Sequence, residues 1–378
     1  MKYITELNQR FGEEIRDNVV KDIARGRTIG PSKVRRIATF FAISIMITPY
    51  CVAGLGVAIV FFNLDSIPAI VIGTLILAAG YFLRTPRRRN TQKTLRCADA
   101  PTLFSLLDDM AKLLGAPKID GIHVNGEFNA YMAQFGKKER VLGIGAPLWL
   151  ALETPERLAL LAHEVAHLIN QDPARSRLAY RALGTLSRWH DLSHPPAIVD
   201  HETNTSFYYE ERGLLGQLFG SLFGGAIATI ALGFEKLIFA DSQRAEYLAD
   251  VASASVAGVD AGYASLKKVI LSPLAEDALK HTHFDGTKDI SLFEDMARAV
   301  RIPDANRATE LYTEATKSMH AVDSSHPPTR YRMEVVAAAG SSSPALKSDT
   351  VDWTAIDEEL APHFRGEEQA LLSEIIIQ

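Results

Sequence analysis

Two cysteines in 378 residues are too few for a disulfide framework. Cys51 lies in a long apolar run and Cys97 in a basic stretch, so the two are not expected to pair. An excess of one charge is also missing. Forty Lys and Arg against 45 Asp and Glu leave a formal net charge of -5, and the pI near 6.1 argues against a general nucleic-acid binder. No internal repeat of fixed period is present, which excludes a solenoid. The chain does have ample apolar material. At 47% hydrophobic and 22% charged it can build a sizeable core, so it is neither disordered nor collagen-like. The mean hydropathy of +0.02 averages over very unequal parts.

Residues 37–62 contain no charged side chain. A helix of that length, at about 1.5 Å per residue, crosses the roughly 30 Å hydrocarbon layer with some tilt. Pro49 falls mid-span and predicts a kink. A turn at Asn63-Leu64-Asp65-Ser66 leads into a second apolar run, Ile67 to Leu83, so the pattern is a transmembrane helical hairpin over 37–83. Thirty-six mostly polar residues precede the first run, which separates it from a cleaved signal peptide. Nine Lys or Arg lie in residues 1–36, and Arg84, Arg87, Arg88, Arg89, Lys93 and Arg96 follow the second run. The connecting turn has no base. The positive-inside rule therefore places the N-terminal segment, 1–36, and everything after residue 84 in the cytoplasm of a multi-pass cell-membrane protein. The arginine cluster suits contact with anionic lipid headgroups of the bilayer rather than nucleic acid.

Further along, a helix is expected over 99–114, then short strands over 121–124, 129–135 and 140–144, with a hairpin turn at 136–139. Thr154-Pro155-Glu156 opens a helix that runs to about Asn170 and stops at Asp172-Pro173. Residues 178–202 are too polar to span a bilayer. Leu214 to Phe234 is a third apolar, uncharged run, and helical patterns resume from Ala240. The stretch 339–344 is Gly/Ser-rich, so 339–378 is expected to be a linker and an acidic C-terminal tail.

The chemistry is concentrated in His163-Glu164-Val165-Ala166-His167. Two histidines at i and i+4 share one helix face, and their imidazoles can converge on one zinc ion. Glu164 is offset around the helix and can reach water beside the metal, as a general base next to a Lewis acid. Apolar residues flank the string on nearly every side, which implies a buried helix. Burying a carboxylate and two imidazoles without partners costs several kcal/mol, and a bound cation removes that problem.

A third ligand is needed. Asn170 and Pro173 stand where a metzincin has Gly and His, which rejects that class. A later acid pair, Glu246-Tyr247-Leu248-Ala249-Asp250, offers Glu246 as the ligand and Asp250, one turn on, as acceptor for the second ring N–H of His163. Ligands sharing one ion lie on one side of a membrane. Only the run 214–234 separates His167 from Glu246, so that run is expected to be buried, re-entrant or interfacial rather than a single crossing.

With these strings in place, the chain from about 84 to 335 resembles the membrane zinc metallopeptidases typified by HtpX and the CAAX prenyl endopeptidases. Besides HEVAH and EYLAD, Asn129-Ala130-Tyr131-Met132 is similar to that family's NAFA-type strand, and Gly145-Ala146-Pro147-Leu148 leads into the motif helix as theirs does. Asn170-Gln171-Asp172 follows the second histidine in a similar way, and Ser325-His326-Pro327-Pro328-Thr329-Arg330 looks like the late His-Pro-Pro-Thr motif. The resemblance implies a gluzincin fold, mainly α, with an α+β protease domain over 84–338 and a small sheet over the motif helix. It also implies one Zn²⁺ per chain and endopeptidase activity on protein or peptide substrates at the cytoplasmic membrane face, with quality control of membrane proteins as the setting. Under this reading His163, His167 and Glu246 hold the metal and Glu164 is the base. His326 stabilises the oxyanion or approaches the zinc, and residues 129–132 pair with substrate backbone. Two features depart from the family pattern: residues 178–202 are too polar for a second pair of spans, and there are too few spans for the enclosed chamber of a prenyl protease. The rival reading is a non-catalytic, membrane-anchored scaffold that keeps zinc for stability, for which Glu164 would have no use.

Overall fold

The computed structural model describes residues 2–25, 33–85, 93–135, 139–169, 172–193, 214–285, 291–317, 327–340 and 343–377. In chain order the elements are α1 (Lys2–Ala24), α2 (Lys33–Phe62), α3 (Ile67–Leu83), α4 (Pro101–Leu114), β1 (Gly121–Asn125), β2 (Ala130–Phe135) and β3 (Glu139–Gly145). There follow α5 (Ala146–Ala151), α6 (Thr154–Ile169), α7 (Asp172–Ser193), α8 (Leu214–Ala257), α9 (Val259–Ile270), α10 (Ser272–Asp285), α11 (Leu292–Arg301), α12 (Ala305–Lys317), α13 (Thr329–Ala338) and α14 (Trp353–Ile377). The expected mainly helical architecture with one small sheet is what the chain forms. The turn expected at 136–139 lies mostly outside the described residues. Asp172-Pro173 does not simply end a helix. Proline lacks the N–H that a first helical turn leaves unpaired, so the same dipeptide opens α7.

The helices fall into two compact units. The first comprises 1–30, 90–174 and 239–378. Its core surrounds α6, where Leu158, Ala159, Leu161, Ala162, Val165 and Leu168 are all buried. The sheet has the order β1-β3-β2, with β1 parallel and β2 antiparallel to β3. The row Ile122, Leu142 and Met132 turns toward this core, while His123, Gly143 and Tyr131 form the next row on the opposite face. Glycine at 143 lets the flanking side chains meet across the central strand: His123 Nδ1 lies 2.8 Å from Tyr131 Oη. β3 is central and β2 is one of the two edge strands.

The segment 339–378, expected to be a linker and an acidic tail, instead contributes the packed helix α14 to this unit. Trp353, Ile356, Leu360 and Phe364 of α14 are buried in the same core as α6. Three of its acids have defined partners. Asp357 accepts from Arg157 Nη1 and Trp149 Nε1. Glu359 accepts from the first-turn N–H groups of Thr102 and Leu103 on α4, and Glu368 from Ser291 Oγ and the Phe293 N–H at the start of α11. The last two sit where the helix dipole favours a carboxylate. The N-terminal segment also belongs to this unit rather than standing apart. Val19 of α1 is fully buried with Tyr247, Tyr331 and Val335.

The second unit comprises 31–89 and 175–238. α2 is a single helix through Pro49. Ser66 Oγ caps α3 by accepting from the Ala69 N–H. The α2–α3 contact is built on small residues: a Cβ on Gly56 would lie 2.5 Å from Leu77 N, and one on Gly80 would lie 2.5 Å from Ala53 N. Such close backbone approach characterises helices that associate without a hydrophobic driving force. Phe40, Leu55, Phe61, Leu75 and Tyr81 stay exposed along the pair. Arg188 and Trp189 of α7 donate to the terminal carbonyls of α3 at Phe82 and Leu83. Ala42 and Ile45 pack with Ala182, Leu186, Ile227 and Phe234.

The third apolar run lies within α8, one continuous helix that also carries Glu246. Leu222, Phe223 and Leu232 are 60–71% exposed, so the run is not the buried helix offered as one expectation. Among the described residues, Lys33–Phe62 and Leu222–Ala257 are long and apolar enough to cross a membrane, and Ile67–Leu83 is a shorter apolar helix.

Candidate metal centre

The centre is built on α6. The carboxylate of Glu156 reaches back to the Glu153 N–H at 2.8 Å and closes the first turn. Arg157 fastens the same end by donating to the carbonyls of Trp149 and Leu152. Two turns on, His163 and His167 present Nε2 atoms 3.3 Å apart. α8 brings Glu246 against both, with Oε2 3.5 Å from His163 Nε2 and Oε1 3.3 Å from His167 Nε2. The ligand atoms of the three residues all lie within 4.8 Å of one another. A tetrahedral ion with bonds of about 2.0–2.1 Å needs donor separations of roughly 3.3–3.4 Å, so the spacing suits zinc.

The remaining ring nitrogens are also held. His163 Nδ1 lies 3.1 Å from Asp250 Oδ1, and His167 Nδ1 lies 3.2 Å from Asp172 Oδ2. Each carboxylate favours a proton on Nδ1 and leaves Nε2 as the donor atom. The sequence offers Asp250 for this role, whereas Asp172 stands out there only within the family-like string Asn170-Gln171-Asp172, with no role attached.

Arg332 of α13 completes the surroundings and was missed by the sequence reading. Its Nε and Nη2 donate to Asp250 at 2.9 and 2.7 Å, and Nη1 lies 3.5 Å from Glu246 Oε2. It stands only two residues beyond the string Ser325–Arg330. Glu164, Asp172, Glu246, Asp250 and Arg332 are all buried. Asp250, Glu246 and Glu164 all act on the one Arg332 guanidinium, and three carboxylates against one cation leave negative charge that a divalent cation neutralises. The titrations carry the same imprint. Burial pulls the His163 imidazole down, but the Asp250 and Glu246 carboxylates outweigh it and hold its pKa above the ordinary value. His167 is raised against burial by Glu246. Burial pushes Asp250 up, yet Arg332 and His163 hold it below the usual carboxylate range. A group of protonatable donors drawn together by acids is what a cation site looks like when protons stand in for the metal.

A cavity of about 150 Å³ opens beside His163 and Glu164. Phe128, Leu148, Leu160, Leu266 and Val336 give it apolar walls, and Asn129, Ala130 and Pro327 also line it. The expected substrate strand is therefore only partly at the site. Tyr131 is in the row turned to the opposite face, beside His123, and Met132 packs on the core. His326 lies outside the described residues.

A mainly helical domain with a small sheet, whose buried central helix carries His163, Glu164 and His167 opposite a glutamate from a later helix, has the layout of the gluzincin class of metallopeptidases. The chain belongs to Peptidase family M48, whose family profile matches residues 98–339. Curated relatives agree. A protein named Protease HtpX homolog from Pyrobaculum calidifontis is 24% identical over 247 residues, covering 62% of this chain and 66% of the relative. A homolog of the same name from Pyrobaculum aerophilum is 24% identical over 243 residues, with the same coverage. One from Thiobacillus denitrificans is 27% identical over 158 residues, covering 41% and 51%. The match thus spans just under two thirds of the Pyrobaculum relatives' length.

Proposed function

We propose that this chain is a membrane-anchored zinc endopeptidase acting on protein or peptide substrates at the cytoplasmic membrane face. The observation that carries the reading is the donor triangle His163, His167 and Glu246, with Glu164 beside it in the wall of an apolar cavity. Zinc bound there would supply a Lewis acid that acidifies water and polarises a peptide carbonyl. The chain's own residues do the rest. Glu164 takes the proton from the attacking water and later passes it to the leaving amine. Asp250 and Asp172 fix the imidazole planes, so the donor atoms need no reorganisation during turnover. Arg332 holds Asp250 in place and offsets the charge that accumulates as water is deprotonated. Residues 129–132 along β2 offer main-chain groups to an extended substrate, and the cavity takes an apolar side chain of that substrate. Helices α2 and α3 anchor the chain, with the basic flanks on the cytoplasmic side.

A scaffold that kept zinc only for stability would have no need of a carboxylate facing the cavity beside the donors, so the position of Glu164 favours the enzyme. Glu164→Gln is expected to keep full zinc content while casein cleavage falls by about three orders of magnitude or more, and chelation is expected to abolish the parent's cleavage. Near-normal turnover by the metal-loaded variant would overturn the reading.

A further inference from the structure

Helix α1 grips the residue next to a metal donor and the residue next to Arg332. Val19 is 0% exposed and packs with Tyr247, Tyr331 and Val335. Arg16 Nη1 donates to Glu334 Oε2 at 3.0 Å, and its guanidinium carbon lies 4.6 Å from the centre of the Tyr331 ring. The Tyr331 hydroxyl donates to Glu13 Oε1 at 3.2 Å. Tyr247 directly follows the metal donor Glu246, and Tyr331 directly precedes Arg332.

Successive side chains on a helix point about 100° apart, so one residue can face the centre while its neighbour faces away. On α8 the pair is Glu246 and Tyr247; on α13 it is Arg332 and Tyr331. Both outward-turned tyrosines are almost wholly buried, and both pack with α1. α13 needs such support. It has ten residues, and its cap residue, Pro328, makes no side-chain cap bond. A helix this short is marginal by itself, so its position is set by what packs against it. Along the face of Tyr331 and Val335, α1 supplies that packing.

We propose that α1 is a positioning element of the metal centre: by clamping Tyr247 and Tyr331 it sets where the Glu246 carboxylate and the Arg332 guanidinium stand. The inference rests on the metallopeptidase reading for its kinetic consequence, and on geometry alone for its effect on metal retention. Arg16 is the lever. It lies at the rim, makes both the ion pair and the ring contact, and can be changed without opening the core. Glu13 is a second, independent lever on the same tyrosine.

The test uses the full chain, purified from membrane with zinc. Arg16→Ala and Glu13→Ala are compared with the parent for KM, kcat and the half-time of zinc loss to a chelator, and melting temperature reports intact folding. Arg16→Ala is expected to lower kcat on the order of 10-fold with KM within about twofold, and to speed zinc loss several-fold. Arg16→Lys, which keeps a cation over Tyr331, is expected to restore most of both. Glu13→Ala is expected to shift both readouts the same way by a smaller factor. Unchanged kcat and zinc retention in Arg16→Ala would overturn the proposal. So would a rise in KM at constant kcat, which would make α1 a substrate contact. Failure of the metallopeptidase reading shows separately, as normal turnover by Glu164→Gln, and the zinc-loss measurement then still decides whether α1 sets the donors.

Discussion

Replacing Asp357 by alanine asks whether the acidic C-terminal segment is a built part of the protein. In the structure its carboxylate accepts two bonds from Arg157 Nη1, both 2.9 Å, and one from Trp149 Nε1 at 2.8 Å. The Arg157 side chain is 10% exposed and that of Asp357 is 45% exposed. Alanine leaves the fully buried indole N–H of Trp149 without an acceptor, which costs about 1–3 kcal/mol. It also leaves a nearly buried guanidinium without its counter-ion. Breaking a fully buried pair costs about 3–5 kcal/mol. Half of this pair faces water, and Arg157 keeps the carbonyls of Trp149 and Leu152, so the lower part of that range or less applies. The two effects share one carboxylate and are not additive, giving about 3 kcal/mol in total. Asp357→Asn keeps an acceptor and loses only the charge, about 1–1.5 kcal/mol. The assay is denaturant unfolding in detergent followed by tryptophan signal, because Trp149 and Trp353 lie 6.1 Å apart and report this joint directly. Glu358→Ala, at an exposed neighbour, serves as the control and should stay within about 0.5 kcal/mol. If Asp357→Ala is as silent as the control, α14 is not docked as described and the argument fails.

Three further outcomes are expected. Asp172→Ala and Asp250→Ala should each weaken zinc binding by about 10- to 100-fold, while Glu246→Ala should remove most of the zinc; full metal content in the last, measured on purified protein, would place the third donor elsewhere. In metal-free protein His163 and His167 are raised above the ordinary value of about 6.5, so the stability they contribute is complete below that pH and fades as pH rises through their folded values. Stripped protein should therefore lose denaturant resistance as pH rises above about 6.5 while zinc affinity climbs and binding releases protons; a flat profile in both measurements would contradict the assignment. A Cβ on Gly145 would lie 1.8 Å from the Glu127 carbonyl oxygen, so Gly145→Ala must displace the 127–129 loop that helps line the cavity. It should lower stability by about 1–3 kcal/mol and impair peptide cleavage more than zinc binding, which paired melting and metal analyses would reveal.

The parts legible in the sequence were those whose signals are local. Helix α6 announces itself through Thr154-Pro155-Glu156 and an unbroken apolar surround, and two histidines one turn apart must share a face whatever the rest of the fold does. α3 and the end of α4 were bounded correctly by Ser66 and Gly115 for the same reason. α14 reads as an acidic tail because the Gly/Ser-rich stretch before it and its own acids carry no local sign of a docked helix. Its apolar residues do recur at helical spacing, Trp353, Ile356, Leu360 and Phe364, but the partners of Asp357, Glu359 and Glu368 lie some 75 to 257 positions away. Arg332 reaches Asp250 across 82 positions, and no spacing rule encodes such a meeting. Asp172 stands in a family-like string, but its role is not legible there, because it depends on a turn back toward His167 made where Pro173 opens the next helix.

The docking of α1 in the unit that holds the metal donors also settles a matter of counting. The chain leaves that unit twice, over 31–89 and over 175–238, and returns each time. A compact body lies on one side of any bilayer, so if the apolar helices cross one, each departure would have to do so an even number of times. For the first departure, α2 and α3 would then cross together or not at all, a parity that makes no reference to a single lysine or arginine. The same condition would rule out a lone crossing by the apolar run within α8.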